Sequence, residues 1–131
     1  MNNFIKRSFI LLAGIFYACE DVNDAQEFRE SISVVLAADI PESAVLGGNI
    51  PIGIVISGSS SCASFSRFET ELSGDTTKVV VYQKQAVDDI CALVLIEIVA
   101  TINLGFDQIG KKYVEFDGID GVILDSLIVV N

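Results

Sequence analysis

The stretch Ile50-Pro51-Ile52-Gly53-Ile54-Val55-Ile56-Ser57 decides the fold. Ile50, Ile52, Ile54 and Ile56 alternate with Pro51, Gly53, Val55 and Ser57. Successive side chains of a strand point to opposite faces, so a period of two puts all four isoleucines on one surface. A helix with 3.6 residues per turn would scatter them around its axis. Branched side chains also suit a pleated, half-buried surface. Residues 50–57 are therefore a core strand. It follows the turn Gly47-Gly48-Asn49 and leads into the loop Gly58-Ser59-Ser60-Ser61.

Working outward, the same pattern of strand and turn recurs. Before it, Ser31–Asp39 reads as a strand with Ile32, Val34 and Leu36 on one face, ended by Pro41. After it come Cys62–Leu72, with Phe65, Phe68 and Leu72, and then the turn Ser73-Gly74-Asp75. Thr77–Gln83 places Val79 and Val81 on one side, Val80 and Tyr82 on the other. A polar connection, residues 84–90, leads to Cys91. Ala92–Leu104 is a long apolar run with Ile96, Ile98, Ala100 and Ile102 in phase, and its branched content favours strand over a helix packed on a sheet. Lys111–Phe116, the turn cluster Asp117–Gly121 and Val122–Val130 complete the chain. About seven strands with turns roughly every ten residues predict an all-β, two-layer antiparallel sandwich of immunoglobulin-like type. A small closed barrel is the alternative.

The amino terminus has a different character. A short basic start with Lys6 and Arg7 precedes an apolar run from Phe9 to Ala18, which is the pattern of an export signal. The run falls short of the roughly 20 residues that a membrane span needs. Phe16-Tyr17-Ala18-Cys19 resembles the lipobox of bacterial lipoprotein signals, in which the cysteine takes a diacylglycerol and becomes the new terminus. Ala18 and Cys19 match it, whereas Phe16 stands where Leu is usual and Tyr17 where a small residue is usual. The expected organisation is a signal peptide over 1–18, an acidic tether over 19–30 carrying a short helix near Ala25–Glu30, and a β-domain over 31–131. Cleavage after Ala18 without lipid is the competing reading.

Cys62 and Cys91 then remain as an even pair. In an oxidising compartment such a pair is expected to form a disulfide; two separate buried thiols are the alternative. Their spacing, with no histidine in the chain, makes a poor zinc site.

Composition limits the function. Eighteen acidic residues against eight basic ones give a formal charge of -10, which repels nucleic-acid phosphates and anionic lipid headgroups. Loss of Lys6 and Arg7 with the signal would make the mature chain more acidic still. The absence of histidine removes the commonest general base at neutral pH.

From Pro41 to Asn131 the chain resembles a widespread kind of small Bacteroidota lipoprotein with a single immunoglobulin-like domain. The matching landmarks are Asn49-Ile50-Pro51-Ile52, Ser61-Cys62 with Phe65 and Phe68-Glu69, Ile90-Cys91, Gly110, Lys112–Phe116 and Ile128-Val129-Val130. The resemblance implies a cell-envelope lipoprotein without an assigned activity and carries over no catalytic residue.

Candidate sites are few. Gly58–Cys62 lacks the second glycine of a nucleophile elbow. Asp117, Asp120 and Asp125 offer oxygen ligands near Gly118 and Gly121 but lack EF-hand spacing. Asp88-Asp89 reads as a solvated turn. Glu69 and Glu71 share one strand face rather than facing each other across a cleft, as sugar hydrolysis requires. Phe65, Phe68, Phe106, Tyr113 and Phe116 are expected to fill the core, with Tyr82 or Tyr113 exposed on a binding surface as the alternative. The expectation is therefore a non-enzymatic, lipid-anchored module of the outer membrane, without cofactor or metal. Its partners would be the membrane, through Cys19, and an unknown envelope or extracellular protein, with no nucleic acid. An inhibitor or adhesion protein acting through its loops, and a metal-assisted hydrolase using Asp and Glu, are the alternatives.

Overall fold

A computed structural model describes residues 27–131. Nine strands follow one another: β1 (Phe28–Ser33), β2 (Val35–Asp39), β3 (Ser43–Val45), β4 (Ile50–Gly58), β5 (Ser64–Ser73), β6 (Thr76–Ala86), β7 (Ile96–Leu104), β8 (Gly110–Gly118) and β9 (Gly121–Val130). The all-β expectation holds. The count exceeds seven because the first strand is divided at Val34 and reaches back to Phe28, and because Ser43–Val45 forms a short strand of its own. Phe28–Glu30, the end of the expected tether and helix, is thus already strand and pairs with Lys84–Ala86 of β6.

β4 lies between β2 and β7, antiparallel to both. β6 pairs with β5 along one edge. Its other edge is shared, with β8 running parallel to residues 76–79 and β1 antiparallel to residues 81–86. β9 flanks β8, and β3 runs parallel to β9. The two groups are joined where the chain passes from β1 to β2 and where Val35 pairs with Gly118. The result is one mixed sheet that curls into a half-barrel, not a purely antiparallel pair of sheets. Parallel neighbours such as β6 and β8 are far apart in sequence, so no hairpin turn announces them.

The concave side is the core. Ile50, Ile52, Ile54 and Ile56 are all buried there, as period two requires, with Ile102 and Leu104 of β7 beside them. Val79, Val81, Val114, Phe116, Leu127 and Val129 face them from the other arm. The first strand reverses its expected facing. Ser33 and Val35 are buried, whereas Ile32 is exposed. Ser33 is tolerated inside because its hydroxyl donates to the Ser57 carbonyl at 2.6 Å. A bulge between Val35 and Ala37 then restores the phase so that Ala38 and Ile40 pack on the core. A second bulge, between Phe65 and Arg67, explains why Phe65 and Phe68 both turn inward although three residues apart.

Candidate binding surface at the disulfide end

β6 ends at Ala86, and the segment that follows is fastened on two sides. The Val87 N–H donates to the Glu27 carbonyl at 2.9 Å, just before β1 begins. Asp89 N–H donates to the Ala86 carbonyl, closing a turn. Cys91 is bonded to Cys62, so the expected disulfide forms. Next to it, Ser61 N–H donates to the Ala92 carbonyl at 3.0 Å, and Ala92 N–H donates to the Ser61 hydroxyl at 2.9 Å.

The loop at 59–62 is held in turn by two glutamines of β6. Gln83, itself buried, accepts from Ser59 N–H at 2.9 Å through its side-chain oxygen. The buried Ser60 hydroxyl donates to Gln85 and accepts from Cys62 N–H. The serines read from the sequence as a loop are therefore structural ties. A cleft of about 270 Å³ lies alongside, lined by Arg29, Ser31, Gln83, Lys84, Val87 and Leu93 among others.

What these ties present is apolar. Ile90, Leu93 and Leu95 are 103%, 93% and 79% exposed, with Val87 and Val94 also exposed beside them. This corrects the reading of Ala92–Leu104 as one strand, since pairing begins only at Ile96. Its partner β4 ends at Gly58, which lies opposite Ile96, and the disulfide draws Cys91 toward the 59–62 loop. The sequence signal was the hexapeptide Ile90–Leu95, too apolar for a connection, yet it lay beyond any partner strand.

A second polar group sits on the convex face. Arg67 pairs with Glu30 at 2.7 Å and with Glu69, and its guanidinium lies 4.0 Å from the Tyr82 ring centre. The Tyr82 hydroxyl donates to Glu69 at 2.9 Å. Hydrogen bonds from Ser66 and then Arg67 hold the Glu30 carboxyl below its usual range. Those from Arg67 and then Tyr82 do the same for Glu69. Donating to Glu69 pushes the Tyr82 phenol up. These groups are spent on one another.

The remaining candidates do not converge. Asp117 lies opposite Val122 and Asp125 opposite Val114, so the two aspartates occupy opposite faces of the β8–β9 hairpin. Glu69 and Glu71 share a face of β5, as read. Tyr82 and Tyr113 are half-buried. Among the described residues, Cys62, Asp89 and Cys91 bring three potential ligand atoms within 4.8 Å of one another, but the two sulfurs are bonded to each other and are not thiolate ligands. Cys19 lies outside the described residues.

Compared with protein families, residues 52–124 match the ORF11 β-sandwich domain, more than half of the chain. The chain belongs to the ORF11 β-sandwich family. The matched span runs from the core strand β4 to β9 and includes both disulfide cysteines. The family's domain is described as a β-sandwich, whereas the strands of this chain form one curled, mixed half-barrel around their core. No curated protein and no solved structure matched the chain.

Proposed function

We propose that this ORF11-type domain is a lipid-anchored module of the bacterial cell envelope that binds or scaffolds rather than catalyses, with an immunoglobulin-like arrangement of its two arms. The observation that carries the reading is the Cys62–Cys91 disulfide, because such bonds persist in oxidising, extracytoplasmic compartments. The basic and apolar start ending in Ala18-Cys19 supports export and lipidation independently of it. A rigid, disulfide-held apolar loop supports contact with another surface rather than turnover of a small molecule.

Protein purified from membranes should carry a diacylglycerol mass on a terminal Cys19, measured by intact mass spectrometry. A terminus without lipid at Cys19, or with residues 1–18 retained, would refute the anchor. Capture from envelope extract on the immobilised protein should then recover a specific envelope component. Recovery of none, with a metal ion instead raising the melting temperature, would favour the hydrolase alternative.

A further inference from the structure

We infer that the apolar loop at 87–95 rests in the surface of the membrane that holds the anchor, so that the domain touches the bilayer with its disulfide end. The inference rests on the lipid-anchor reading of Cys19. The chain enters the described domain at Glu27, and Glu27 accepts a hydrogen bond from Val87, the first residue of the loop. Entry point and loop are therefore at the same end.

About eight residues separate Cys19 from Glu27, which reach roughly 28 Å when fully extended. A lipid on Cys19 thus keeps that end close to the headgroups. Ile90, Leu93 and Leu95 project there, and Phe28 at the start of β1 is also exposed. Such a crest on a free domain would stay in water; beside a bilayer it can transfer into the apolar boundary.

The disulfide and the Ser61–Ala92 hydrogen bonds hold the crest in place, so little loop order is lost on contact. Asp88 and Asp89 flank the crest, which favours zwitterionic over anionic headgroups.

The chain has no tryptophan, so Leu93→Trp supplies a single reporter at the crest. Leu72→Trp is the control, because Leu72 is also exposed but lies beside the β5–β6 turn at the opposite end. Each full-length protein, purified from membranes, is placed in phosphatidylcholine vesicles, with Leu95→Trp as a second crest reporter should Leu93→Trp misfold. The crest reporter is expected to shift to the blue and to be quenched by brominated lipid, whereas the control does neither.

A lipid mass on Cys19 together with a water-like crest spectrum would overturn the loop contact and leave the anchor standing. No lipid mass, but quenching once vesicles are added, would sink the anchor and keep the contact. Loss of both signals removes both ideas. A blue shift without lipid that grows with protein concentration would assign the crest to a second copy of the chain and overturn the membrane contact.

Discussion

The backbone N–H of Val87 donates to the carbonyl of Glu27 at 2.9 Å, joining the loop after β6 to the point where the chain enters β1. The two residues are 60 positions apart in the sequence. The bond extends the β1–β6 ladder by one step beyond its last pair, Phe28 with Ala86. It makes the entry of the chain and the base of the apolar crest one mechanical unit, whose other fastening is the disulfide.

That disulfide closes a loop with a sequence separation of 29 residues. In the chain-entropy model such a closure stabilises by about 3–4 kcal/mol. The double variant Cys62→Ala/Cys91→Ala is expected to lose that amount in urea titration. Reducing agent should lower the wild type by a similar amount and leave the variant unchanged. Hydrogen exchange should show the Val87 amide losing protection while Ile54 keeps it. A further fall of the variant on reduction would mean that another thiol chemistry is at work.

Gly58 is buried at the end of β4, directly beneath the start of β7. A Cβ there would lie 2.6 Å from Cγ1 of Ile96 and 2.9 Å from Cδ1 of Ile98. Real side-chain carbons do not approach so closely, so Gly58→Ala forces the Ile96 and Ile98 side chains out of their places. The expected loss is about 1–3 kcal/mol, typical of overpacking. Ile96→Ala in the same chain should return part of it by making room, giving a favourable coupling energy. A Gly58→Ala protein as stable as the wild type would mean that β7 does not pack against β4 at this point.

The two faces of the β4–β7 ladder should respond oppositely to charge. Ile54 is buried in the core and pairs with Ala100, whereas Val99 is 80% exposed on the convex side. Ile54→Asp should prevent folding, because an isolated carboxylate in that interior has no partner. Val99→Asp should fold normally, within about 0.5 kcal/mol of the wild type. Circular dichroism of the pair decides it: equal behaviour would mean that the facing is wrong.

The legible part of this molecule was the part governed by short-range periodicity. Ile50–Ile56 read correctly because one face is core and the other is not. Val79 and Val81 read correctly for the same reason. Where a bulge inserts one residue, as at Leu36 and Ser66, the period breaks and no single phase gives the facing on both sides of it. The exposed crest was illegible for another reason. Ile90–Leu95 has the composition of a buried strand, and only the length of its partner β4 leaves it outside the sheet. The disulfide was legible as arithmetic, but that it clamps an apolar loop beside the chain entry depends on the β1–β6 pairing.

The cluster of Glu30, Arg67, Glu69 and Tyr82 predicts a pH profile. Glu69 is held below its usual range by Arg67 and Tyr82, so its contribution is present above the ordinary carboxyl value and is lost as pH falls through the lowered one. Tyr82 is raised by Glu69, so its contribution is present below the ordinary phenol value of about 10 and is lost as pH rises through the raised one. The melting-temperature difference between wild type and Glu69→Ala should be flat near neutrality and shrink at both extremes. It should be small and weaken in high salt, since all four groups face solvent. A difference that grows in acid would reverse the assignment.

Lys112 is the one basic residue among the buried side chains of the described chain, and it sits in the core register of β8 opposite Leu127. Its ammonium donates to Asp75 at 2.8 Å, across to the β5–β6 turn, while Tyr113 N–H donates to the Asp75 carbonyl at 2.9 Å. The turn itself is suited to this position: Gly74 has φ of +60° and Asp75 does not adopt a positive φ, as a type II′ hairpin turn requires. Asp75→Ala removes the carboxylate and keeps the backbone bond, leaving a buried ammonium with Gln108 at 3.5 Å as its remaining polar contact. A loss of about 1–2 kcal/mol is expected, below that of a fully buried pair because Asp75 is itself exposed. Lys112→Met fills the same space without a charge and should cost less than Asp75→Ala. The double variant should then be no worse than Lys112→Met alone, because the carboxylate has lost its partner in either case. Urea denaturation of the three variants measures this directly, and additive losses would show that Lys112 and Asp75 do not act on each other.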